Sequence, residues 1–101
     1  MTVQEPAFSV EQVQQGDDVV LVVTGGVDMA TVAVFEQALA EAMSRTGGDV
    51  GLDLSAVTFL GSEGVRALIA AQAAPSASGR SIRIVAASPI ARRVLEITGL
   101  A

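Results

Sequence analysis

The first quarter of the chain carries two runs of apolar residues with a polar stretch between them. Residues 7–14 alternate loosely between apolar and polar positions, and residues 19–24 form the nearly continuous apolar run VVLVVT. Gly16, Asp17 and Asp18 lie between these runs and are residue types typical of a turn. The pattern predicts a β-hairpin whose second strand is covered on both faces of the sheet.

A helical pattern follows the hairpin. A Gly-Gly pair ends the second strand, and the carboxylate of Asp28 can accept hydrogen bonds from the free N–H groups of a first helical turn. Apolar residues then recur at spacings of three and four, which indicates one buried helical face: Val32, Phe35, Leu39 and Met43. We expect this helix to begin near Met29 and to end near Arg45, where a second Gly-Gly pair supplies a stop.

The middle of the chain combines a strand pattern with a second helical pattern. Residues 50–54 predict a short strand, residues 55 and 56 a turn, and residues 57–60 a further apolar segment. A second helix is expected after residue 61 and should run to about Ala74. Its buried face is predicted from the same three- and four-residue spacing: Val65, Leu68, Ile69 and Gln72.

The last quarter of the chain predicts a loop, a strand and a third helix. Residues 75–79 are polar, and residues 81–86 form the strand pattern SIRIVA. Ser88 and Pro89 are typical of a helix cap and a first helical position. The residues expected to face inward on the third helix are Ile90, Val94, Leu95 and Ile97.

Strands that alternate with helical patterns predict an α/β fold. The hairpin at the start makes the sheet mixed rather than wholly parallel, and the helices should cover mainly one face. The 101 residues have the length of one domain, and no internal repeat or charge block marks a second one. We therefore expect residues 1–6 to be a short tail and residues 7–101 to form a single domain.

Composition and charge exclude several kinds of function. The chain has no Cys and no His, so thiol nucleophiles, disulfides, imidazole bases and the usual zinc sites are absent. Six Arg and eleven acidic residues give a net charge of −5, which disfavours binding to nucleic acid and to anionic membranes. No Walker-type phosphate loop and no carboxylate pair suited to acid–base catalysis is present. The protein is not expected to be an enzyme or to need a cofactor.

The sequence also lacks targeting and membrane signals. Residues 1–6 do not have the charged start and apolar core of a signal peptide. No run reaches the roughly 18 apolar residues of a membrane span. A cytoplasmic location without membrane insertion is expected, and the partners should be proteins or small ligands.

Three segments resemble one known family. The segment 53–64, DLSAVTFLGSEG, resembles the signature of the STAS family, in which a strand ending in Asp-Leu-Ser leads to an Asp-Ser-x-Gly loop that starts a helix. The segment 24–28, TGGVD, is similar to the family's Gly-Glu-Leu-Asp turn, and the segment 88–100 is similar to its Ser-Pro to Gly-Leu ending. The chain is identified as a member of the STAS family of anti-sigma factor antagonist type. This implies a STAS-like mixed sheet of about four to five strands.

The resemblance implies partner switching in bacterial transcription regulation. In anti-sigma factor antagonists, the Ser of this loop is phosphorylated by the anti-sigma factor, a GHKL-type serine kinase that supplies ATP and Mg²⁺; here that residue is Ser62. The unphosphorylated protein would bind the kinase and release a sigma factor. Phosphorylation would weaken this complex, and a PP2C-type phosphatase would reverse it. The protein is expected to be a monomer or a weak dimer.

The candidate partner-binding residues surround this serine: Asp28, Gly61, Ser62, Glu63, Gly64 and Arg66. The resemblance places Asp28 on the kinase-facing surface, and Arg66 can pair with a phosphate or with a partner's acid. A purely structural role is open for each of them. Asp28 and Ser62 can be helix caps worth about 1 kcal/mol, the two glycines can permit a tight turn and close packing, and Arg66 can be a solvated side chain.

Two loop positions differ from the family pattern. Gly61 stands where the family has Asp, which removes a carboxylate from the loop. Glu63 stands where Ser, Thr or Ala is common, which adds a negative charge beside Ser62 and would slow phosphorylation or mimic its product. The alternative function is therefore a STAS subunit of an ABC-type lipid or solute transport complex, which braces the ATPase without phosphorylation.

Overall fold

The computed structural model describes residues 7–45, 47–74 and 80–100. The expected tail at residues 1–6 and the expected loop at residues 75–79 lie outside these ranges. The elements in chain order are β1 (Ser9–Gln15), β2 (Asp18–Val27), α1 (Val32–Arg45), β3 (Val50–Leu60), α2 (Ser62–Ala73), β4 (Ile82–Ala87) and α3 (Pro89–Thr98).

The strands form one mixed sheet in the order β1-β2-β3-β4. Strand β1 is antiparallel to β2, and β2, β3 and β4 are mutually parallel. The hairpin turn consists of Gly16 and Asp17, and Gly16 has a φ of 63°, a left-handed conformation that glycine adopts without steric cost. The predicted α/β class, the mixed sheet and the opening hairpin are confirmed.

Strand β3 is longer than the sequence predicts. The expected turn at residues 55 and 56 was wrong, because β3 continues from Val50 to Leu60. The register with β2 shifts between the pairs Val22↔Asp53 and Thr24↔Ala56, which places an extra residue in β3. Polar residues typical of a turn therefore form a bulge inside a continuous strand.

The hydrophobic core lies on one face of the sheet. Along β2, buried and half-buried residues alternate with the period of two expected for a strand. Val20 and Val22 lie on the half-buried face, so the prediction that β2 is covered on both faces was wrong. The helices pack on the other face, and the largest fully buried side chains belong to that side: Phe35, Leu21, Leu39, Leu52, Leu54, Leu68 and Leu95.

Helix α1 agrees with the predicted face, whereas α2 is rotated relative to it. Phe35, Leu39 and Met43 are buried on α1, and the helix ends at Arg45 as predicted. On α2, Ile69 and Gln72 are exposed, so their predicted inward orientation was wrong. The buried residues of α2 are Gly64, Val65, Ala67 and Leu68. Val65 and Leu68 are buried as predicted, and the small Gly64 lies where α2 approaches the strands beneath it closely.

Helix α3 begins as its sequence predicts. Ser88 is the N-cap, Pro89 follows it, and Gly99 ends the helix with a φ of 78°. The inward orientation of Ile90 and Ile97 was wrong, since both are exposed. Leu95 is buried as predicted, together with Ala91, an i, i+4 pair in which the small Ala91 gives a weak sequence signal.

Candidate functional site

The candidate site lies where two parallel strands end at the same edge of the sheet. Strand β2 ends at Val27 and β3 at Leu60, and the next residue, Gly61, donates its N–H to the carbonyl oxygen of Val27 at 2.9 Å. The loop that follows β3 is thereby joined to the end of β2. This contact places the Asp28 turn beside the loop that carries Ser62.

Asp28 caps the turn that leads into α1. Its Oδ1 accepts hydrogen bonds from the N–H groups of Ala30 at 2.9 Å and Thr31 at 3.2 Å. The Thr31 hydroxyl accepts from the N–H of Asp28 at 3.0 Å and donates to the carbonyl of Gly26 at 2.6 Å. This reciprocal arrangement resembles a capping box. The capping role of Asp28 is confirmed, and its partner Thr31 was missed although the Asp-x-x-Thr spacing could have indicated it.

Ser62 is the first residue of α2, and its hydroxyl is not used by the fold. The N-cap is Gly61, with φ −81° and ψ 175°, and no side chain caps this helix. The carbonyl of Gly61 already accepts from the N–H groups of Gly64 at 3.0 Å and Val65 at 3.2 Å. The interpretation of Ser62 as a helix cap was therefore wrong. Its side chain is exposed, and it has no hydrogen bond to any part of the chain that the structure describes.

Gly64 allows α2 to pack directly on the sheet. A Cβ at this position would lie 2.6 Å from Cδ1 of Leu60 and 2.8 Å from Cγ1 of Val27, so that a side chain here would require these neighbours to shift. Both neighbours belong to the core. Gly64 thus fixes the height of α2 above the strands, and with it the position of Ser62 two residues earlier.

The side chain of Glu63 folds back over Gly61. A Cβ at Gly61 would lie 2.7 Å from Oε1 of Glu63 and 3.1 Å from Cε2 of Phe59. The carboxylate therefore occupies the space that a side chain at Gly61 would need. Glu63 is half-buried and lies in the first turn of α2, where the helix dipole favours a negative charge. Glu63 was predicted as a neighbour of Ser62, but the orientation of its side chain cannot be predicted from the sequence.

Arg66 is exposed on the next turn of α2. Together with Glu36 of α1 and Glu63, it lines a shallow depression between the two helices. No carboxylate within the described ranges lies within 4 Å of its guanidinium group. Its exposure agrees with a solvated side chain, and pairing with a phosphate or with a partner's acid stays a prediction.

The signature residue Asp53 lies in the bulge of β3. Its Oδ1 accepts hydrogen bonds from the Ser55 hydroxyl at 2.6 Å and from the Ser55 N–H at 3.0 Å. These bonds favour the ionised carboxylate and hold the pKa of Asp53 below its ordinary value. The Asp-Leu-Ser part of the signature therefore shapes the strand, and it lies apart from the Ser62 loop.

Residues 7–45, 47–74 and 80–100 contain no group of three or more His, Cys, Asp or Glu side chains that could hold a metal ion. None of the helices described is long and apolar enough to cross a membrane.

The fold and the site define a small mixed α/β domain with an exposed serine at the start of the helix that follows a central strand. A family model described as "Mlab, STAS domain" matches residues 10–101. The chain belongs to the STAS domain family, as its sequence motifs predicted.

Two relatives and one further structural neighbour are similar to this chain. The anti-sigma-F factor antagonist RsfB of Mycobacterium tuberculosis is 35% identical over 83 residues, which are 80% of this chain and 66% of RsfB. This chain thus spans just under two thirds of that relative's length. An anti-sigma factor antagonist from Mycobacterium paratuberculosis superposes with a TM-score of 0.78 and 30% identity, over 93% of this chain and 80% of that one. The anti-sigma factor antagonist SpoIIAA in its unphosphorylated form shares the fold, with a TM-score of 0.74 and 22% identity over 93% of this chain and 82% of that one.

Proposed function

We propose that this protein is an anti-sigma factor antagonist that is switched off by phosphorylation at Ser62. The supporting observation is the free, exposed hydroxyl of Ser62 at the start of α2, next to the capped turn at Asp28. The relatives named above, RsfB among them, are anti-sigma factor antagonists. In this proposal residues 7–101 act as one binding domain in the cytoplasm, and none of them is catalytic.

The partner in this proposal is an anti-sigma factor with GHKL-type serine kinase activity. The kinase supplies ATP and Mg²⁺ and transfers the γ-phosphoryl group to Oγ of Ser62. The bond between the γ-phosphorus and the bridging oxygen breaks, ADP leaves, and a base of the kinase takes the hydroxyl proton. A PP2C-type phosphatase hydrolyses the phosphoserine to restore Ser62 and release inorganic phosphate.

The surface around Ser62 would carry the binding energy. Asp28, Gly61 and Glu63 flank the serine, and Arg66 lies one turn further along α2; Gly64 beneath them sets the position of the helix. A phosphate adds about −1.5 to −2 charges at pH 7, and it replaces no bond within the fold. The interface therefore changes while the domain stays folded. A loss of 10- to 100-fold in affinity corresponds to about 1.4 to 2.7 kcal/mol.

The test combines intact mass and binding. The protein, Ser62→Ala and the control Ser9→Ala, an exposed serine of β1, are incubated with Mg-ATP and the anti-sigma kinases of the same genome. We expect one phosphate on the protein and on the control, none on Ser62→Ala, and at least tenfold weaker kinase binding after phosphorylation. A phosphate that persists in Ser62→Ala would contradict the assignment of the site.

A second candidate function is a subunit of an ABC-type transport complex that braces its ATPase. The observation that favours it is the Glu63 carboxylate over Gly61, which gives the loop a permanent negative charge without phosphorylation. The family model that matches the chain carries the description "Mlab, STAS domain". Stable binding to a transport ATPase, with no binding to any anti-sigma kinase, would favour this function over partner switching.

A further inference from the structure

Glu63 is held next to the proposed phosphorylation site in a defined orientation. Its Oε1 fills the space above Gly61, 2.7 Å from the position that a Cβ would take. Gly61 immediately precedes Ser62, so the carboxylate lies on the loop that presents the serine. The half-burial of Glu63 agrees with a side chain that lies along the surface rather than one that extends into solvent.

The start of α2 has few N–H groups left to stabilise an anion. The N–H of Gly61 is bonded to Val27, and those of Gly64 and Val65 are bonded to the carbonyl of Gly61. The groups that remain at this helix end are the N–H groups of Ser62 and Glu63. A phosphate on Ser62 and the carboxylate of Glu63 would therefore share the same short positive end of the helix dipole.

The other charged side chains near Ser62 differ in sign and in whether they are already hydrogen-bonded within the fold. The carboxylate of Asp28 is bonded within its own turn. Glu36 of α1 adds a second acid in the depression that it shares with Glu63, and Arg66 is the cation there. These three groups stay the same when Glu63 alone is changed, so a Glu63 variant isolates the effect of one carboxylate.

The geometry points to Glu63 as a residue that destabilises the phosphorylated state. Its carboxylate repels the doubly charged phosphate on Ser62 and so shifts the protein toward its unphosphorylated form. This inference rests on the proposed function, since it concerns the same serine. At a solvated surface, a negative charge on the adjacent residue raises the second pKa of a phosphate by about 0.3 to 0.5 unit. A phosphate with a raised second pKa carries less negative charge near neutral pH. The phosphorylated and unphosphorylated proteins then differ less in their affinity for the partner.

The decisive measurement uses phosphoserine placed at position 62 during translation, which requires no kinase. The full chain, Glu63→Gln and the control Glu41→Gln are each prepared in this form, and the phosphate is titrated by ³¹P NMR. Glu41 is an exposed acid on the part of α1 that, with Leu39 and Met43, runs alongside Ala71 and Ala74. Ser62 lies about ten residues along α2 from the level of Ala71 and Ala74, a distance of about 15 Å. This distance exceeds the screening length at physiological salt.

We expect Glu63→Gln to lower the second pKa of the phosphate by 0.3 unit or more, while Glu41→Gln leaves it unchanged. A smaller shift for Glu63→Gln, or the same shift for both variants, would overturn the inference. Both variants lose one negative charge, so the comparison excludes a general effect of net charge.

A kinase assay separates this inference from the proposed function. With an anti-sigma kinase that accepts the protein, Glu63→Gln should be phosphorylated several-fold faster than Glu41→Gln, and equal rates would contradict the inference. If no anti-sigma kinase of the genome phosphorylates any of the three proteins, the proposed switch fails. The ³¹P titration still decides whether Glu63 opposes a phosphate at this position.

Discussion

Ser62 and Gly64 lie two residues apart on α2 and have opposite relations to the fold. The Ser62 side chain is exposed and makes no hydrogen bond to any described residue, whereas Gly64 is buried against Leu60 and Val27. A change at Ser62 should therefore affect recognition alone. A change at Gly64 should affect folding.

Gly64→Ala should lower the free energy of unfolding by about 1–2 kcal/mol. The added methyl group would lie 2.6 Å from Cδ1 of Leu60, so its overpacking cost falls in the upper part of the usual range, about 2–3 kcal/mol. The better helix propensity of Ala offsets roughly 1 kcal/mol of that cost. Urea unfolding at pH 7 measures the change. Gly47→Ala is the control, because a Cβ at this exposed glycine meets no atom within 4 Å. An unchanged midpoint for Gly64→Ala would contradict the close packing of α2.

Asp53 should give the protein a small stability increment that disappears in acid. Because hydrogen bonds from Ser55 lower the folded-state pKa, the increment is fully present above the ordinary Asp pKa of about 3.9 and is lost as the pH falls through the lower folded value. Asp53→Asn should cost less than about 1 kcal/mol at pH 7, since the group is partly exposed. Its deficit should shrink as the pH falls below the ordinary Asp pKa of about 3.9 in urea unfolding measured from pH 7 to pH 3. A deficit that stays the same over this whole range would mean that the amide itself disturbs the bulge.

At this scale the sequence predicts which residues form the site but not how their side chains are used. The Gly-Ser-Glu-Gly loop and Asp28 were found from their motifs. The free hydroxyl of Ser62 was not, because a serine before a helix is ordinarily a cap, and here the helix begins one residue earlier with Gly61 as its cap. The orientation of Glu63 depends on a side-chain conformation that no sequence pattern encodes.

Among the elements, α3 is joined to the sheet through its cap. The Ser88 hydroxyl accepts from the N–H of Ala91 at 3.2 Å and donates to the carbonyl of Val57 at 2.7 Å. The Ser88 N–H also donates to the carbonyl of Leu54 at 3.0 Å. The Ser-Pro pair predicted the cap. The hydrogen bond from Ser88 to β3 could not be predicted, because it depends on how the helix and the sheet are assembled.

Ser88→Ala should destabilise the protein by about 1–2 kcal/mol. The variant removes a helix cap, worth about 1 kcal/mol, and leaves the half-buried carbonyl of Val57 without its hydroxyl donor. Thermal or urea unfolding measures the loss. Ser44→Ala, whose exposed hydroxyl donates only to the carbonyl of Glu41, should change stability by less than about 0.5 kcal/mol. Equal losses in both variants would show that the bond to Val57 contributes nothing.

Helix positions were predicted better than helix orientations. The end of α1 at Arg45 and the start of α3 at Pro89 follow from glycine, proline and capping residues, which act locally. The start of α1 was expected near Met29 and lies at Val32. The buried faces of α2 and α3 include Ala67 and Ala91, and a search for large apolar residues overlooks them. Where helices approach their neighbours closely, alanine replaces the bulky residues that periodicity detects.

For the whole molecule, burial is restricted to one face of the sheet. Leu52 on β3 is 0% exposed, whereas Val85 on the neighbouring strand β4 is 57% exposed. The α/β class and the mixed sheet were predictable from the order of patterns along the chain. The one-sided burial of β2 was not, because valines on an uncovered face look the same in sequence as valines in a core.

Leu52→Ala and Val85→Ala should therefore have very different effects. Leu52→Ala leaves a cavity in the core and should cost about 2–5 kcal/mol. Val85→Ala removes a largely solvated side chain and should cost about 0.5 kcal/mol or less. The free energies of unfolding in urea provide the comparison. A large loss for Val85→Ala would indicate that something covers this face in solution, such as a second copy of the chain.

The unused hydroxyl of Ser62 also bears on how such proteins diverge. Since the fold gains no bond from this side chain, folding exerts no selection on its hydroxyl. Under the proposed function the residue is retained only as long as a partner recognises it, and a gene copy that lost its kinase would be free to change Ser62 while Gly64 and the Asp28 turn stayed fixed. Loss of the serine in a descendant would then record a change of regulatory circuit, with the domain itself intact.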